Sequence, residues 1–273
     1  MLALFLICAS YARANSQEIV HFPTLSPASP AQLGGYLYQP STPGSHPAVV
    51  FLHGCGGMFS TSGHKPESRQ SAWAKTLNDL GYTVLMVDSF TPRGVKSVCS
   101  PKTWSDSVYA ARPYDAYAGL AYLQSLPNID AKHIGVMGWS NGGGVILFTV
   151  GTKAPPHNAP GFAAAVAFYP GSCSTLRLGE HWSSAVPLLV LVGGSDVWTP
   201  AVPCQAALMN SADTRVKIYP GAYHDFDWPG MAVHTSPSFT TSAGVVPIEG
   251  ENPDAHADAL KIVPEFLARY LGS

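Results

Sequence analysis

Apolar positions along the chain fall into short continuous runs, separated by stretches of helical period, and the alternation is regular from about residue 34 onward. Ala48-Val49-Val50-Phe51-Leu52 is β-branched and apolar throughout, the pattern of a strand covered on both faces. Residues 83–87, 134–138, 162–168, 187–192 and 216–219 repeat it. Helices are predicted between them over residues 68–80, closed by Gly81, and over 113–125, with Tyr114, Tyr117, Ala118, Leu120 and Ala121 at helical spacing before Pro127. Further helices are predicted over 145–150, 201–209 and 255–271. This alternation predicts an α/β fold, a mostly parallel central sheet with helices on both faces, and such sheets bind ligands at the carboxyl ends of their strands. Residues 228–252, rich in Pro, Ser, Thr and Gly without a period, predict a rim or lid.

Composition narrows the classes. The chain has 273 residues, 46% hydrophobic and 12% charged, which suits one packed domain and excludes a disordered chain. A formal charge of -2 without a basic stripe argues against a nucleic-acid partner. The run LALFLICAS followed by Ala12-Arg13-Ala14 reads as a signal peptide over residues 1–14, leaving one domain over 15–273 and a periplasmic or secreted protein. No run of about 20 apolar residues occurs, so no stable membrane anchor is expected. Beyond the leader stand Cys55, Cys99, Cys173 and Cys204, an even number without C-x-x-C spacing, which suggests two disulfides and no zinc site.

Candidate chemistry begins at residues 138–144, GWSNGGG. By itself this is one serine in a glycine-rich turn. Lying between a predicted strand and a predicted helix, it fits a nucleophile elbow centred on Ser140, whose glycines leave room around a sharp turn. A serine hydroxyl needs a base, and the base an orienting acid, found in this fold in the order Ser, acid, His. Asp196 follows the strand at 187–192 and His224 follows the strand at 216–219, so all three fall on one sheet edge. Asp225 and Asp227 are rival acids, but they share the histidine's loop. Oxyanion donors are expected from the backbone N–H groups of Asn141 and of Cys55 in His53-Gly54-Cys55-Gly56-Gly57, with His53 a structural residue.

With HGCGG, DSFTPRG, RPYDA, GWSNGG, FYPGSC, SDVWTP and YPGAYHDFD in order, residues 30–271 resemble the dienelactone hydrolase family of α/β-hydrolases. The resemblance implies the same roles for Ser140, Asp196, His224, Cys55 and Asn141. It departs in two respects: the dienelactone enzymes proper use a cysteine nucleophile, and a glutamate near the oxyanion strand, whereas residues 48–60 contain none. Family members bind a substrate carboxylate with an arginine from the region of Arg93; that residue could equally tie its loop to Asp106 or Asp115. Trp139, Trp198 and Tyr223 flank the triad as candidate pocket walls, core packing being the alternative for Trp139. The expected disulfides are Cys55–Cys99, on adjacent loops of the active edge, and Cys173–Cys204, following neighbouring strands. The expected activity is hydrolysis of small esters or lactones through an acyl-enzyme, without metal or organic cofactor. Dienelactone-type lactonase, depolymerisation of polymeric or plant-derived esters, acyl transfer, and a non-catalytic binding protein are the alternatives.

Overall fold

The computed structural model describes residues 16–60 and 65–272; the predicted leader at 1–14 lies outside them. Eight strands form the main sheet in the order β1-β2-β4-β3-β5-β6-β7-β8: β1 (Ser16–Pro23), β2 (Gln32–Gln39), β3 (His46–Leu52), β4 (Thr83–Asp88), β5 (Ile129–Trp139), β6 (Ala164–Phe168), β7 (Leu188–Gly193) and β8 (Thr214–Tyr219). Strands β4, β3, β5, β6, β7 and β8 run parallel, while β1 and β2 are antiparallel at one edge. The parallel strands are the predicted ones, within a few residues. Antiparallel β1 and most of β2 were not expected. Their half-buried alternation, with glycine at positions 34 and 35, lacks the apolar run that marked the others.

From β2 to β8 the strands of the main sheet divide their side chains between two cores. Ala48, Val50 and Leu52 face a cluster with α2 (Asp106–Gln124), α3 (Asn141–Thr149) and α5 (Ala201–Leu208). Val49 and Phe51 face a second with α1 (Ser68–Asp79) and α6 (Pro253–Leu271). On α6 the buried residues Ala255, Ala259, Val263, Leu267 and Leu271 recur every fourth position, one helical stripe. Helix α2 starts well before the predicted 113, because Ser105 caps it by accepting from Val108 N–H at 3.4 Å, and it continues through Pro113. The short α4 (Thr175–Leu178) lies between β6 and β7. Within the predicted rim, β9 (His234–Thr235) pairs with β10 (Ile248–Glu249), and Glu249 bridges to His224.

Candidate active site

The turn from β5 into α3 sets the site. Ser140 has φ +51° and ψ −112°, a conformation that L residues avoid and that occurs at strained functional turns. Its backbone is held on both sides: the N–H donates to Phe168 O at 3.0 Å, and the carbonyl accepts from Gly144 and Gly171 N–H at 2.9 and 2.8 Å. A Cβ at Gly142 would overlap the carbonyl oxygens of Leu52 and His53, so glycine there lets α3 start against the end of β3.

Asp196 follows β7 and His224 follows β8, and they meet. His224 Nδ1–H donates to Asp196 Oδ2 at 2.7 Å, leaving Nε2 as the imidazole's free base. Asp196 is fixed in turn by Trp198 N–H, Thr199 N–H and Thr199 Oγ1–H at 2.8, 2.9 and 2.7 Å, so it also makes the turn that leads to α5. Burial opposes a charge on His224, but Asp196 overrides it and the imidazole pKa lies above the ordinary histidine value. The Tyr169 ring, one residue past the Phe168 carbonyl that holds Ser140, lies 4.5 Å from the His224 ring.

The rival acids are occupied elsewhere. Asp227 accepts from Trp73 and Trp139 Nε1–H, both at 2.8 Å, and from Tyr169 Oη–H at 2.5 Å. Asp225, at φ +57°, pairs with Arg69. Fully buried Arg69 also donates to Tyr169 Oη at 2.8 Å and stacks on the Trp228 ring at 4.5 Å, tying the start of α1 to the histidine's loop. Glu67 stands beside Arg69, and a Cβ at Gly56 would lie 3.6 Å from its Oε1. A glutamate thus reaches the turn of Cys55 from outside residues 48–60. Burial, only partly offset by Arg69, pushes its carboxyl up to about 7.

The backbone N–H groups of Cys55 and Asn141 donate to no protein acceptor among the described residues. The turn of Cys55 is closed by Val98 N–H donating to Cys55 O at 2.9 Å, and by the disulfide Cys55–Cys99. Cys173–Cys204 is the second disulfide, as expected. Buried His53 donates from Nδ1 to Gly54 O at 2.8 Å and accepts at Nε2 from Ser89 N–H, and burial beside Arg112 holds its pKa well below the ordinary value. It is a neutral, structural residue.

Ser140 and Asn141 open into a cleft of about 560 Å³, walled by Trp104, Tyr109, Trp198 and Phe239. Arg177 is the charged residue on its wall, and both disulfides reach it. Of the expected walls only Trp198 lines it. Trp139 is fully buried under the elbow, engaged with Asp227, and Tyr223 lies off the cleft. Arg93 is likewise corrected. Its guanidinium forks onto Asp115 at 2.8 and 2.9 Å and donates to Ser89 O, Ser29 O and Ser29 Oγ, which uses all five N–H groups. Of its two readings, the structural tie to Asp115 is the one formed. Thr199, Arg69, Arg112 and Arg177 were missed; only Thr199, three residues after Asp196 in SDVWT, carried a turn signal in the sequence.

The chain is 27% identical over 203 residues to a Mycobacterium tuberculosis protein provisionally named a phosphoribosyl transferase, a match covering 74% of this chain and 41% of that one. The chain therefore spans about two fifths of that relative's length. Its fold is that of a dienelactone hydrolase from Anabaena variabilis, with TM-score 0.63 and 19% identity over 94% of this chain and 99% of the other. It is equally that of a dienelactone hydrolase-like promiscuous phosphotriesterase from metagenomic libraries, with TM-score 0.66 and 20% identity over 94% and 99%. The dienelactone hydrolase family model matches residues 33–271, and the chain belongs to that family of α/β-hydrolases.

Proposed function

We propose that this hydrolase cleaves carboxylic esters or lactones through an acyl-enzyme on Ser140, with His224 as base and Asp196 as its orienting acid. The 2.7 Å bond from His224 Nδ1 to Asp196 carries the reading, because it fixes the tautomer that leaves Nε2 free to accept a proton on the sheet edge where Ser140 holds its strained turn. His224 Nε2 takes the Ser140 proton as Oγ attacks the carbonyl carbon. The oxyanion rests on the N–H groups of Cys55 and Asn141. Collapse expels the alcohol, or opens the lactone, with the proton returned by the imidazolium. Water then attacks the acyl group, again giving its proton to His224, and Ser140 is released.

The cleft's aromatic walls favour an apolar or aromatic acyl or alcohol group. Two disulfides favour an oxidising compartment, the periplasm or the exterior of the cell. Among the described residues no helix is long and apolar enough to cross a membrane. Ser140→Ala should lower hydrolysis of p-nitrophenyl butyrate by at least ~10³-fold, on the scale of losing a triad member, while keeping the wild-type circular dichroism. A folded variant that retains turnover excludes Ser140 as nucleophile.

A further inference from the structure

Arg112, on α2, is fully buried, and no step of the proposed reaction uses it. Nη2 donates to His53 O at 2.6 Å and Nη1 donates to the side-chain Oδ1 of Asn141. Among the described residues no carboxylate lies within ion-pairing distance. Asp115, the acid with the largest influence on it, is forked by Arg93. Its Nε–H is buried without an acceptor, and the Phe90 ring lies 5.1 Å from the guanidinium. A buried, unpaired cation costs several kcal/mol, and burial draws the guanidinium down to about 10. Packing gives no reason to keep such a group, since an apolar chain of similar volume would fill the space without that cost.

Its position supplies a reason. One planar group spans the two turns that carry the oxyanion donors. His53 O belongs to the peptide just before the one that ends in Cys55 N–H, and Asn141 Oδ1 belongs to the residue whose own N–H is the second donor. The turn at His53-Gly54-Cys55-Gly56-Gly57 has three glycines and would otherwise sample many conformations. We propose that Arg112 is a positioning residue for the oxyanion hole: its fork sets the spacing of the Cys55 and Asn141 N–H groups, and its uncompensated charge favours the anion they hold. Neutral His53, also beside it, does not cancel that charge. A fixed cation behind preorganised donors acts on the charge that develops in the transition state and little on the neutral ester.

This rests on Ser140 as the nucleophile, and the test separates the two. In the full chain, Arg112→Met removes charge and fork, whereas Asn141→Asp keeps the backbone N–H and the contact but neutralises the cation by pairing it. For each variant, kcat and KM on p-nitrophenyl butyrate are measured, with the melting temperature and inhibition by phenylboronic acid, which forms a tetrahedral anion on a serine. Arg112→Met should lower kcat about 30- to 300-fold, near the scale of one lost oxyanion donor, with KM within about 3-fold and boronate inhibition weakened in step with kcat. Asn141→Asp should lower kcat at least ~10-fold without lowering the melting temperature. Wild-type kcat in folded Arg112→Met overturns the proposal. If that variant does not fold, Asn141→Asp decides, and wild-type kcat there overturns it equally. Boronate inhibition that survives in Ser140→Ala would instead refute the nucleophile, and with it the reading on which this proposal rests.

Discussion

Asp196 accepts four hydrogen bonds, one from His224 and three from its own turn. It is therefore held as an oriented acceptor, and the raised pKa of His224 follows from that contact opposing burial. Charge around the imidazole comes also from Asp225 on its own loop and Glu249 on β10, with Tyr169 and Trp198 packed on the ring. The proposed base, His224, acts only when neutral, so kcat/KM should fall as pH drops through a pKa above the usual histidine value. Asp225→Asn removes a negative charge that favours the imidazolium; its acid limb should move to lower pH, by about half a unit or more. A rate profile over pH 5–9 that is unchanged or moves upward contradicts this. The positions of Ser140, Asp196 and His224 on one sheet edge were legible in the sequence because each follows the carboxyl end of a parallel strand, β5, β7 or β8. The guanidinium partners were not: Arg93 looks the same in sequence whether it faces a substrate or Asp115, and nothing local marks Arg69 or Arg112 as buried. Only packing between distant elements decides that.

The segment that enters α1 and the loop after β8 are joined by Arg69, Asp225 and Trp228, so the histidine's loop, which follows the edge strand, is anchored to the connection between the central strands β3 and β4. Glu67 at that junction, held up to about 7, is neutral in the fold where an unfolded glutamate is ionised. Its folded value is raised, so its favourable contribution is full below about pH 4.5 and is lost as pH rises to about 7. Glu67→Gln, which cannot ionise, should match wild type in melting temperature near pH 4.5 and exceed it by about 3–6 °C at pH 8. A constant difference across that range would show that Glu67 does not titrate as described. At this scale the buried parallel strands and the amphipathic α6 read plainly, because burial on both faces or on one stripe writes a period into the chain. The glycine-interrupted β2, the four-residue α4 and the two-residue β9 and β10 are too short or too mixed to write one.

Two cores, one on each face, cover the sheet, and both disulfides lie beside the cleft. Cys55–Cys99 closes 44 residues and Cys173–Cys204 closes 31, each stabilising by roughly 2–4 kcal/mol through the unfolded chain. Replacing either pair with serine should lower the melting temperature by about 5–10 °C. Only the Cys55→Ser/Cys99→Ser variant should also lose kcat at temperatures where both are folded, since it loosens the turn of the proposed oxyanion donor Cys55. Equal loss of kcat in both variants would contradict that role for Cys55. Acylation, the oxyanion hole and the role of Arg112 all depend on the identity of the reacting serine, tested most directly by peptide mapping after treatment with a fluorophosphonate. The predicted result is one adduct, on Ser140, absent from folded Ser140→Ala and formed at least ~100-fold more slowly in His224→Ala. An adduct on any other residue, or one that persists in Ser140→Ala, would contradict it.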